Sequence, residues 1–371
     1  MSIADRIRAP GPKRILALDG GGILGLMTVE VLAGIESMLR RELGRGADFV
    51  LADYFDLVAG TSTGAVIATC IAIGMPVERI RRFYVESGRE MFDRAALLKR
   101  FRYKYEDEKL SSKLKAELGA DTTLGSDRLR ALLLVVTRNA TTDSPWPLTN
   151  NPFARYNQRD HPDCNLDLPL WQIVRASTAA PTYFPPEVVD VGRRRFVFVD
   201  GGVTPYNNPA FLAFLTATVE PYAVGWTTGE ERMLIVSVGT GNAAKANEAL
   251  DPRSMHLLYN ATSIPGALMY GALNQQDTLC RVFGRCRFGA PLDREVGDLI
   301  GARGPVEPRL FSYARYDPDV SRAGLDALGL REVDPEHVQL MDSVDYVDEI
   351  QQVGRAMAGH VAPAHFRGFL A

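Results

Sequence analysis

The sequence predicts an α/β fold with a mostly parallel central sheet. Two strand–turn–helix units support this prediction: residues 15–18 precede a glycine-rich loop and a helix, and residues 55–59 precede a turn around Ser62 and a second helix. Because repeated units of this kind bury a sheet between helices, both are expected to share one sheet. Three later apolar runs, each ending near a turn signal, predict further strands at residues 132–137, 196–199 and 233–238.

Length and composition are those of a globular protein. The chain has 371 residues, of which 46% are hydrophobic and 23% charged, enough for one large core or two ordinary ones. A formal net charge of -3 gives no chain-wide electrostatic footprint for a nucleic-acid polymer. The four cysteines form no CxxC pair, so we expect neither a zinc site nor structural disulfides, and we expect a reducing compartment.

The organisation along the chain predicts one main domain with short additions at its ends. Residues 1–12 are expected to be a flexible N-terminus, residues 13–325 the main domain, and residues 326–371 a helical segment packed on it. The longest apolar run, residues 65–77, is shorter than the roughly 20 residues that a membrane-spanning helix needs, and no signal-peptide core is found. We therefore expect a buried helix there and a cytoplasmic protein, with at most peripheral membrane contact.

Residues 60–64, GTSTG, have the GxSxG form of a nucleophile elbow. Such an elbow needs a strand before it and a helix after it, and both are predicted here. Gly60 and Gly64 leave room for a sharp turn that holds Ser62 in a strained conformation with its hydroxyl exposed. The alternative is that Ser62 is an ordinary N-cap between a strand and a helix. By itself the motif does not decide between a nucleophile and a cap.

The first glycine-rich loop, DGGGILG at residues 19–25, satisfies two signatures. Its glycines fit the GxGxxG pattern of a dinucleotide-binding turn, for which Glu42 lies in the region expected of the ribose-binding acid. Backbone N–H groups at a helix start also suit the oxyanion of an ester under attack. Only the oxyanion interpretation explains this loop together with GTSTG and with the DGG sequence that begins at Asp200.

Asp200 is the candidate base, because it closes a predicted strand at its carboxyl end, where open α/β sheets place ligands and catalytic groups. An aspartate before two glycines is also a common Asx turn, which is the alternative for this residue alone. A Ser-Asp-His triad is disfavoured, because Ser62 follows only the second strand and no histidine lies in a recognisable strand-end turn. The histidines that chain order permits are His256, His337, His360 and His365.

Together these motifs resemble the patatin-like phospholipases, a family of lipid acyl hydrolases with a Ser-Asp dyad. Further blocks that resemble the family are RASTAAPTYFPP at residues 175–186, NNPA at 207–210 and SVGTG at 237–241. The resemblance implies a three-layer α/β/α fold with a C-terminal helical extension. It also implies a dyad of Ser62 and Asp200 and an oxyanion hole at Gly20, Gly21 and Gly22. Leu24 stands where the family usually has Arg or Lys, which leaves the head-group preference open.

The resemblance implies hydrolysis of fatty-acyl esters of membrane lipids, without a metal or other cofactor and with transient contact with the membrane surface. Residues 99–105, KRFRYKY, mix four cations with three aromatic residues and are a candidate for that contact; a nucleic-acid patch or a solvated helix face fits the same pattern. Two other functions stay open. One is a nucleotide-binding protein that holds phosphate in the DGGGILG loop. The other is a bacterial defence or signalling phospholipase that a small nucleotide activates.

Overall fold

The computed structural model describes residues 1–92, 104–181, 183–243 and 257–370, which form a central sheet with helices on both faces. The strands are β1 (Lys13–Leu18), β2 (Leu57–Thr61), β3 (Leu132–Asn139), β4 (Ser144–Thr149), β5 (Glu187–Val191), β6 (Arg194–Asp200), β7 (Met233–Val238), β8 (Arg285–Phe288) and β9 (Ser312–Tyr316). The helices are α1 (Ile3–Arg8), α2 (Gly25–Glu42), α3 (Leu51–Tyr54), α4 (Thr63–Ala72), α5 (Val77–Phe92), α6 (Lys104–Leu118), α7 (Leu170–Ser177), α8 (Ala210–Thr218), α9 (Leu257–Phe283), α10 (Arg322–Ala327) and α11 (Val347–Ala358).

The strand order across the sheet is β5-β6-β3-β2-β1-β7-β9-β8, and β4 also pairs with β3. Six neighbouring strands are parallel to one another: β3, β2, β1, β7, β9 and β8. The pairs that involve β4, β5 and β6 are antiparallel. The two strand–turn–helix units supply the neighbours β1 and β2, whose register pairs Leu18 with Gly60. The loops that follow these two strands therefore lie side by side at the carboxyl ends of the parallel strands.

Alternate residues of the central strands pack into two separate cores. On β1, Leu16 and Leu18 face the first core, which includes the apolar sides of α2, α4, α5 and α11. Ile15 and Ala17 face the second core, with α1, α8 and the end of α9. All four side chains are fully buried, and burial of each large aliphatic side chain stabilises the fold by about 1.5–3 kcal/mol. The predicted α/β fold with helices on both faces of the sheet is confirmed.

The helices that follow β1 and β2 are buried in the first core. α4 is buried along its whole length and ends at Ala72, because Gly74 adopts a left-handed conformation with φ 83°. The buried helix expected in the apolar run at residues 65–77 is therefore present as α4, and α5, which begins at Val77, is a separate helix. Among the described residues, the segment Gly22–Glu42 is long and apolar enough to cross a membrane, but 78% of its apolar window is buried inside the protein, as in a core helix.

The segment for which a flexible N-terminus is predicted, residues 1–12, includes helix α1. Helix α1 forms because Ser2 and Asp5 make a reciprocal capping box, in which each side chain accepts the backbone N–H of the other residue. The Trp226 indole donates a 3.0 Å hydrogen bond to the Ile7 carbonyl oxygen, and the Ile7 side chain is buried. The segment is therefore attached to the second core, while the predicted domain boundaries stay predictions.

The C-terminal residues beyond β9 include α11, which lies along α2. Gly354 permits the close approach of these helices, since a Cβ there would lie 2.8 Å from the Met27 Cα and 2.8 Å from the Glu30 Cβ. The Glu30 carboxylate accepts hydrogen bonds from Gln351 on α11 and from Arg81 on α5. These contacts hold the C-terminal segment on the helix that follows the glycine-rich loop.

Candidate active site

Ser62 lies at the sharp turn between β2 and α4 that the GxSxG pattern predicts. Its backbone has φ 53° and ψ -123°, a conformation that costs a non-glycine residue on the order of 1–3 kcal/mol and is concentrated at functional sites. A Cβ on Gly60 would lie 2.2 Å from the Gly64 carbonyl oxygen, and one on Gly64 would lie 2.2 Å from the Leu18 carbonyl oxygen. Both glycines are therefore required for the backbone contacts that hold Ser62 at the edge of the sheet.

The Ser62 hydroxyl donates a 2.6 Å hydrogen bond to Oδ2 of Asp200. Oδ1 of the same carboxylate accepts the Gly202 N–H at 2.6 Å, so Asp200 also makes the Asx-type turn that was its alternative interpretation. An ordinary N-cap serine accepts a hydrogen bond from its helix. Within the described chain, the Ser62 side chain makes no such bond to α4. The structure thus brings together the two residues that the sequence singles out.

Asp200 reaches Ser62 by a different route from the expected one. The prediction placed Asp200 with the carboxyl ends of parallel strands, but β6 runs antiparallel to β3. β3 continues beyond the end of β2, since Val136 pairs with Thr61 and the next residue, Thr137, pairs with Asp200. β6 therefore begins beyond the carboxyl ends of the parallel strands, runs back toward them and ends almost level with the end of β2. Its last residue, Asp200, lies beside Ser62 there.

Ser177 fixes the elbow, and sequence reasoning did not find it. Its hydroxyl accepts the Ser62 N–H at 2.9 Å and donates to the Val136 carbonyl oxygen at 2.6 Å. The side chain is fully buried. This bridge ties the elbow to β3, the strand that also pairs with the end of β6. Its sequence signal is its place in the RASTAAPTYFPP block.

Burial raises the pKa of Asp200 to about 6, while the hydrogen bonds from the Ser62 hydroxyl and the Gly202 N–H lower it. The positive charge of Arg175 also lowers this pKa. At neutral pH the carboxylate is therefore ionised. It is a stronger base than an exposed aspartate, whose ordinary pKa is 3.8, and so is better suited to accept a proton from a hydroxyl.

The glycine-rich loop between β1 and α2 presents two backbone N–H groups that have no partner among the described residues, those of Gly21 and Gly22. Their direction follows from the carbonyl groups beside them. The Gly20 carbonyl oxygen accepts the Thr240 hydroxyl at 3.0 Å, and the Gly21 carbonyl oxygen accepts the Leu24 N–H at 3.2 Å. Because the C=O and N–H of a trans peptide point in opposite directions, the two N–H groups point away from these partners and are available to an anion.

The loop is packed between the elbow and the residues that follow β7. A Cβ on Gly20 would lie 3.1 Å from the Ser62 Cβ, so this end of the loop adjoins the elbow. A Cβ on Gly21 would lie 2.3 Å from the Thr240 Oγ1. A side chain at either glycine would therefore move the loop, whatever space a substrate occupies.

The other end of the loop is covered by the C-terminal segment. A Cβ on Gly22 would lie 2.3 Å from the Met341 carbonyl oxygen, which also accepts the Ile23 N–H at 3.0 Å. The side chain of Leu24 is buried in the first core. The Met341 contact has no counterpart in the sequence motifs, and it gives residues after α10 a place beside the site.

The residues of the alternative interpretations lie elsewhere. Glu42 ends the 18-residue helix α2, about 25 Å from the glycine-rich loop by the helical rise. His256 and the side chains of residues 99–105 lie outside the described residues. No group of three or more His, Cys, Asp or Glu among the described residues could hold a metal ion. Three histidines contact other side chains: His337 pairs with Glu349, His365 pairs with Tyr316, and His360 stacks on Phe288.

Comparison with known proteins identifies a family and relatives that this chain resembles. A family model described as patatin-like phospholipase matches residues 16–214, more than half of the chain. Patatin-T5 of Solanum tuberosum is 30% identical over 250 residues, which cover 62% of this chain and 61% of the relative. Patatin-17 of Solanum cardiophyllum is 31% identical over 248 residues, with 62% and 61% covered. The chain thus spans about three fifths of the length of these curated relatives.

Two solved structures are more distant. VipD from Legionella pneumophila is 15% identical with a TM-score of 0.38, over 92% of this chain and 67% of that one. The type III effector protein ExoU is 12% identical with a TM-score of 0.26, over 72% of this chain and 54% of that one. The glycine-rich loop, the elbow and Asp200 all lie within the residues that the family model matches, and the chain belongs to the patatin-like phospholipase family.

Proposed function

We propose that this protein is a serine acyl hydrolase that cleaves fatty-acyl esters of membrane lipids. The observation that carries the proposal is the 2.6 Å hydrogen bond from the Ser62 hydroxyl to the buried Asp200 carboxylate, made by a serine held at φ 53°. A carboxylate with a pKa of about 6 is suited to take the serine proton. Membership of the patatin-like phospholipase family supports a lipid substrate.

In the first half-reaction, the Ser62 Oγ attacks the ester carbonyl carbon while Oδ2 of Asp200 takes its proton. The carbonyl oxygen becomes an oxyanion, which we place against the free N–H groups of Gly21 and Gly22. Collapse of this intermediate breaks the ester C–O bond, and the leaving alcohol takes the proton from Asp200. The products are the lipid alcohol and a fatty-acyl ester of Ser62.

Water completes the cycle through the same groups. Asp200 takes a proton from the water as its oxygen attacks the acyl carbon, and the loop N–H groups stabilise the second oxyanion. The Ser62 oxygen then leaves with the proton from Asp200, and the fatty acid is released. Because one carboxylate serves as base and acid in both halves, the scheme needs neither a histidine nor a cofactor.

We place the contact with the lipid surface on the N-terminal half of α9. The sequence has no charged residue from residue 257 to 276, and the side chains of Ile264 and Leu268 in this helix are 50% and 69% exposed. Asn274 on the same helix accepts a hydrogen bond from Asn242, in the loop that follows β7. An uncharged helical segment with exposed apolar side chains at Ile264 and Leu268, joined to the loop beside the site, suits partial insertion at the head-group boundary of a membrane.

Active-site labelling tests the proposed hydrolase. The purified chain is treated with a fluorophosphonate probe, which modifies activated serines, and mass spectrometry locates the modified peptide. We expect the label on Ser62, and none at this peptide in the Ser62→Ala variant or in heat-denatured protein. A label on another serine, or ester hydrolysis without any label on Ser62, would contradict the proposal.

The labelling experiment and the content of the purified protein together separate the alternatives. Labelling that begins only after a small nucleotide is added would favour the nucleotide-activated phospholipase. A nucleotide retained through purification, without ester hydrolysis, would favour the nucleotide-binding protein. Activation by a nucleotide and a cytoplasmic location stay predictions from the sequence.

A further inference from the structure

Arg315 on β9 joins residues at the start of the glycine-rich loop to residues beside it. Its Nη1 donates to Oδ1 of Asp19 at 2.9 Å, and its Nη2 donates to Oδ2 of Asp19 at 2.6 Å. Nη1 also donates to the Ser237 Oγ at 2.7 Å, and Nη2 to Oδ2 of Asp317 at 2.8 Å. These charged side chains are all buried. The planar guanidinium thus holds three side chains in fixed relative positions.

The network reaches the peptide after Gly20 by two routes. Asp19 directly precedes Gly20, so the clamped carboxylate fixes the start of the loop. On the second route, Oδ1 of Asp317 accepts the Gly241 N–H at 3.0 Å. The neighbouring Thr240 hydroxyl donates to the Gly20 carbonyl oxygen at 3.0 Å. Both routes end at the peptide that carries the first free N–H of the loop.

We propose that Arg315 is a positioning residue for ester hydrolysis, which holds the Gly20 carbonyl and therefore the Gly21 N–H in the orientation that receives the oxyanion. The inference rests on the function proposed above. Arg315 lies outside residues 16–214, so the family match assigns it no role. Positioning matters here because an oxyanion hole acts through preorganised donors, and the loss of one donor typically costs about 10²–10³ in kcat.

The substitution Arg315→Lys tests the geometry of the network rather than its charge. A lysine keeps the positive charge but presents a compact ammonium in place of the planar fork. It cannot hold both oxygens of Asp19 together with Asp317 and Ser237. The buried carboxylates keep a cation nearby, while the start of the loop loses its bidentate clamp.

Arg281 provides a matched control. It is also buried, and it donates two hydrogen bonds to the Asp277 carboxylate, at 2.9 and 2.7 Å. It donates further to the carbonyl oxygens of Ala290 and Asp298, and none of its hydrogen bonds in the described chain goes to the glycine-rich loop. The substitution Arg281→Lys therefore removes an equivalent buried clamp at a place where the proposal requires no effect on the rate.

The experiment measures kcat, KM and melting temperature for the wild type and both variants with a short-chain nitrophenyl ester. For Arg315→Lys, we expect kcat to fall about tenfold or more with KM nearly unchanged. The Ki of a trifluoromethyl ketone, whose serine adduct carries an oxyanion, should rise by a similar factor. For Arg281→Lys, kcat and Ki should stay within about twofold of the wild type. Equal losses in both variants, or an unchanged kcat in folded Arg315→Lys, would overturn the inference.

If Arg315→Lys does not fold, Asp317→Asn decides the question. This variant keeps the size of the side chain and an acceptor for the Gly241 N–H, but it weakens the charge-assisted hydrogen bond from Arg315. We expect kcat to fall about threefold or more in folded protein, and an unchanged kcat overturns the inference. A wild type without ester hydrolysis and without label on Ser62 overturns both proposals. A labelled, active wild type with an unaffected variant overturns only this one.

Discussion

The part of the chain that the family model matches and the part after it contribute differently to the site. The matched part, residues 16–214, carries Ser62 and Asp200, and short local motifs identify both. The later part carries groups that hold the glycine-rich loop, such as the Thr240 hydroxyl and, through Asp19, the Arg315 guanidinium. Reacting groups need a defined local backbone, which a motif encodes. Supporting groups need only reach the loop from wherever the fold places them.

This difference predicts the order of mutational effects. Changes to the reacting groups in the matched part should remove the chemistry and leave the fold. Changes to the supporting groups in the later part should lower kcat by smaller factors. If substitution of a supporting residue lowered kcat as much as substitution of Ser62, the two parts of the chain would not differ in this way.

The largest effect is expected for Ser62→Ala. Only a hydroxyl is lost at the turn, so the fold should be kept while the nucleophile is removed, and kcat should fall by roughly 10⁴ or more. The measurement is hydrolysis of a short-chain nitrophenyl ester, with circular dichroism as the control for folding. Wild-type activity in this variant would rule out Ser62 as the nucleophile.

The second largest effect is expected for Asp200→Asn, which cannot take the serine proton. We expect kcat to fall by roughly 10²–10⁴. Burial raises the pKa of Asp200 from 3.8 to about 6, so ionisation lowers the stability of the fold as the pH rises between these two values, and the full penalty is present at pH 8. Asp200→Asn removes this penalty, and its melting temperature at pH 8 should therefore not fall below that of the wild type. His337→Ala should keep most of the activity. A histidine variant as inactive as Asp200→Asn would indicate a triad.

Much of the fold follows from the periodicity of the sequence. The strand predicted at residues 233–238 coincides with β7, and the one predicted at residues 15–18 begins earlier, at Lys13. The antiparallel direction of β6 could not be predicted, because no local pattern fixes which strand it pairs with. Helix α1 was missed because its 6 residues are too few to show a helical period.

The candidate site divides in the same way. Ser62 and Asp200 could be named because an elbow and a strand-end aspartate each have a recognisable local sequence. Ser177 and Thr240 lie in blocks that resemble the family, but no local rule gives a buried hydroxyl its partner. Arg315 had no sequence signal at all. A buried arginine becomes interpretable only when the fold shows which carboxylates it holds.

The pH dependence tests the reacting part alone. The base must be ionised, so kcat/KM should be constant above the pKa of Asp200, about 6, and fall about tenfold for each pH unit below it. The measurement is kcat/KM between pH 4 and 9, with the melting temperature followed over the same range to separate titration from unfolding. A midpoint near the ordinary aspartate value of 3.8 would contradict the burial of the base.

A smaller effect is expected for Thr240→Val, in the supporting part. The hydroxyl that holds the Gly20 carbonyl oxygen is lost while the volume is kept. A hydrogen bond of this kind contributes about 0.5–1.5 kcal/mol, which corresponds to roughly a two- to tenfold fall in kcat if the loop orientation depends on it. Thr240→Ser retains the hydroxyl and should retain the rate. A variant Thr240→Ser as slow as Thr240→Val would show that packing, rather than the hydrogen bond, holds the loop.

The smallest effect is expected for Leu268→Glu, which places a charge beside the exposed Ile264 in the part of α9 that has no charged residue. Insertion of this face would then cost the desolvation of a carboxylate, so hydrolysis of phospholipid vesicles should fall about two- to fivefold, together with vesicle binding in a sedimentation assay. Hydrolysis of a soluble nitrophenyl ester should not change, because the residue lies outside the reacting groups. Val188→Glu is the matched control, since Val188 is also exposed but lies on β5. α9 leads into β8, and β5 and β8 are at opposite ends of the strand order. An equal loss on vesicles and soluble ester, or an equal loss in the control, would remove α9 as the lipid contact.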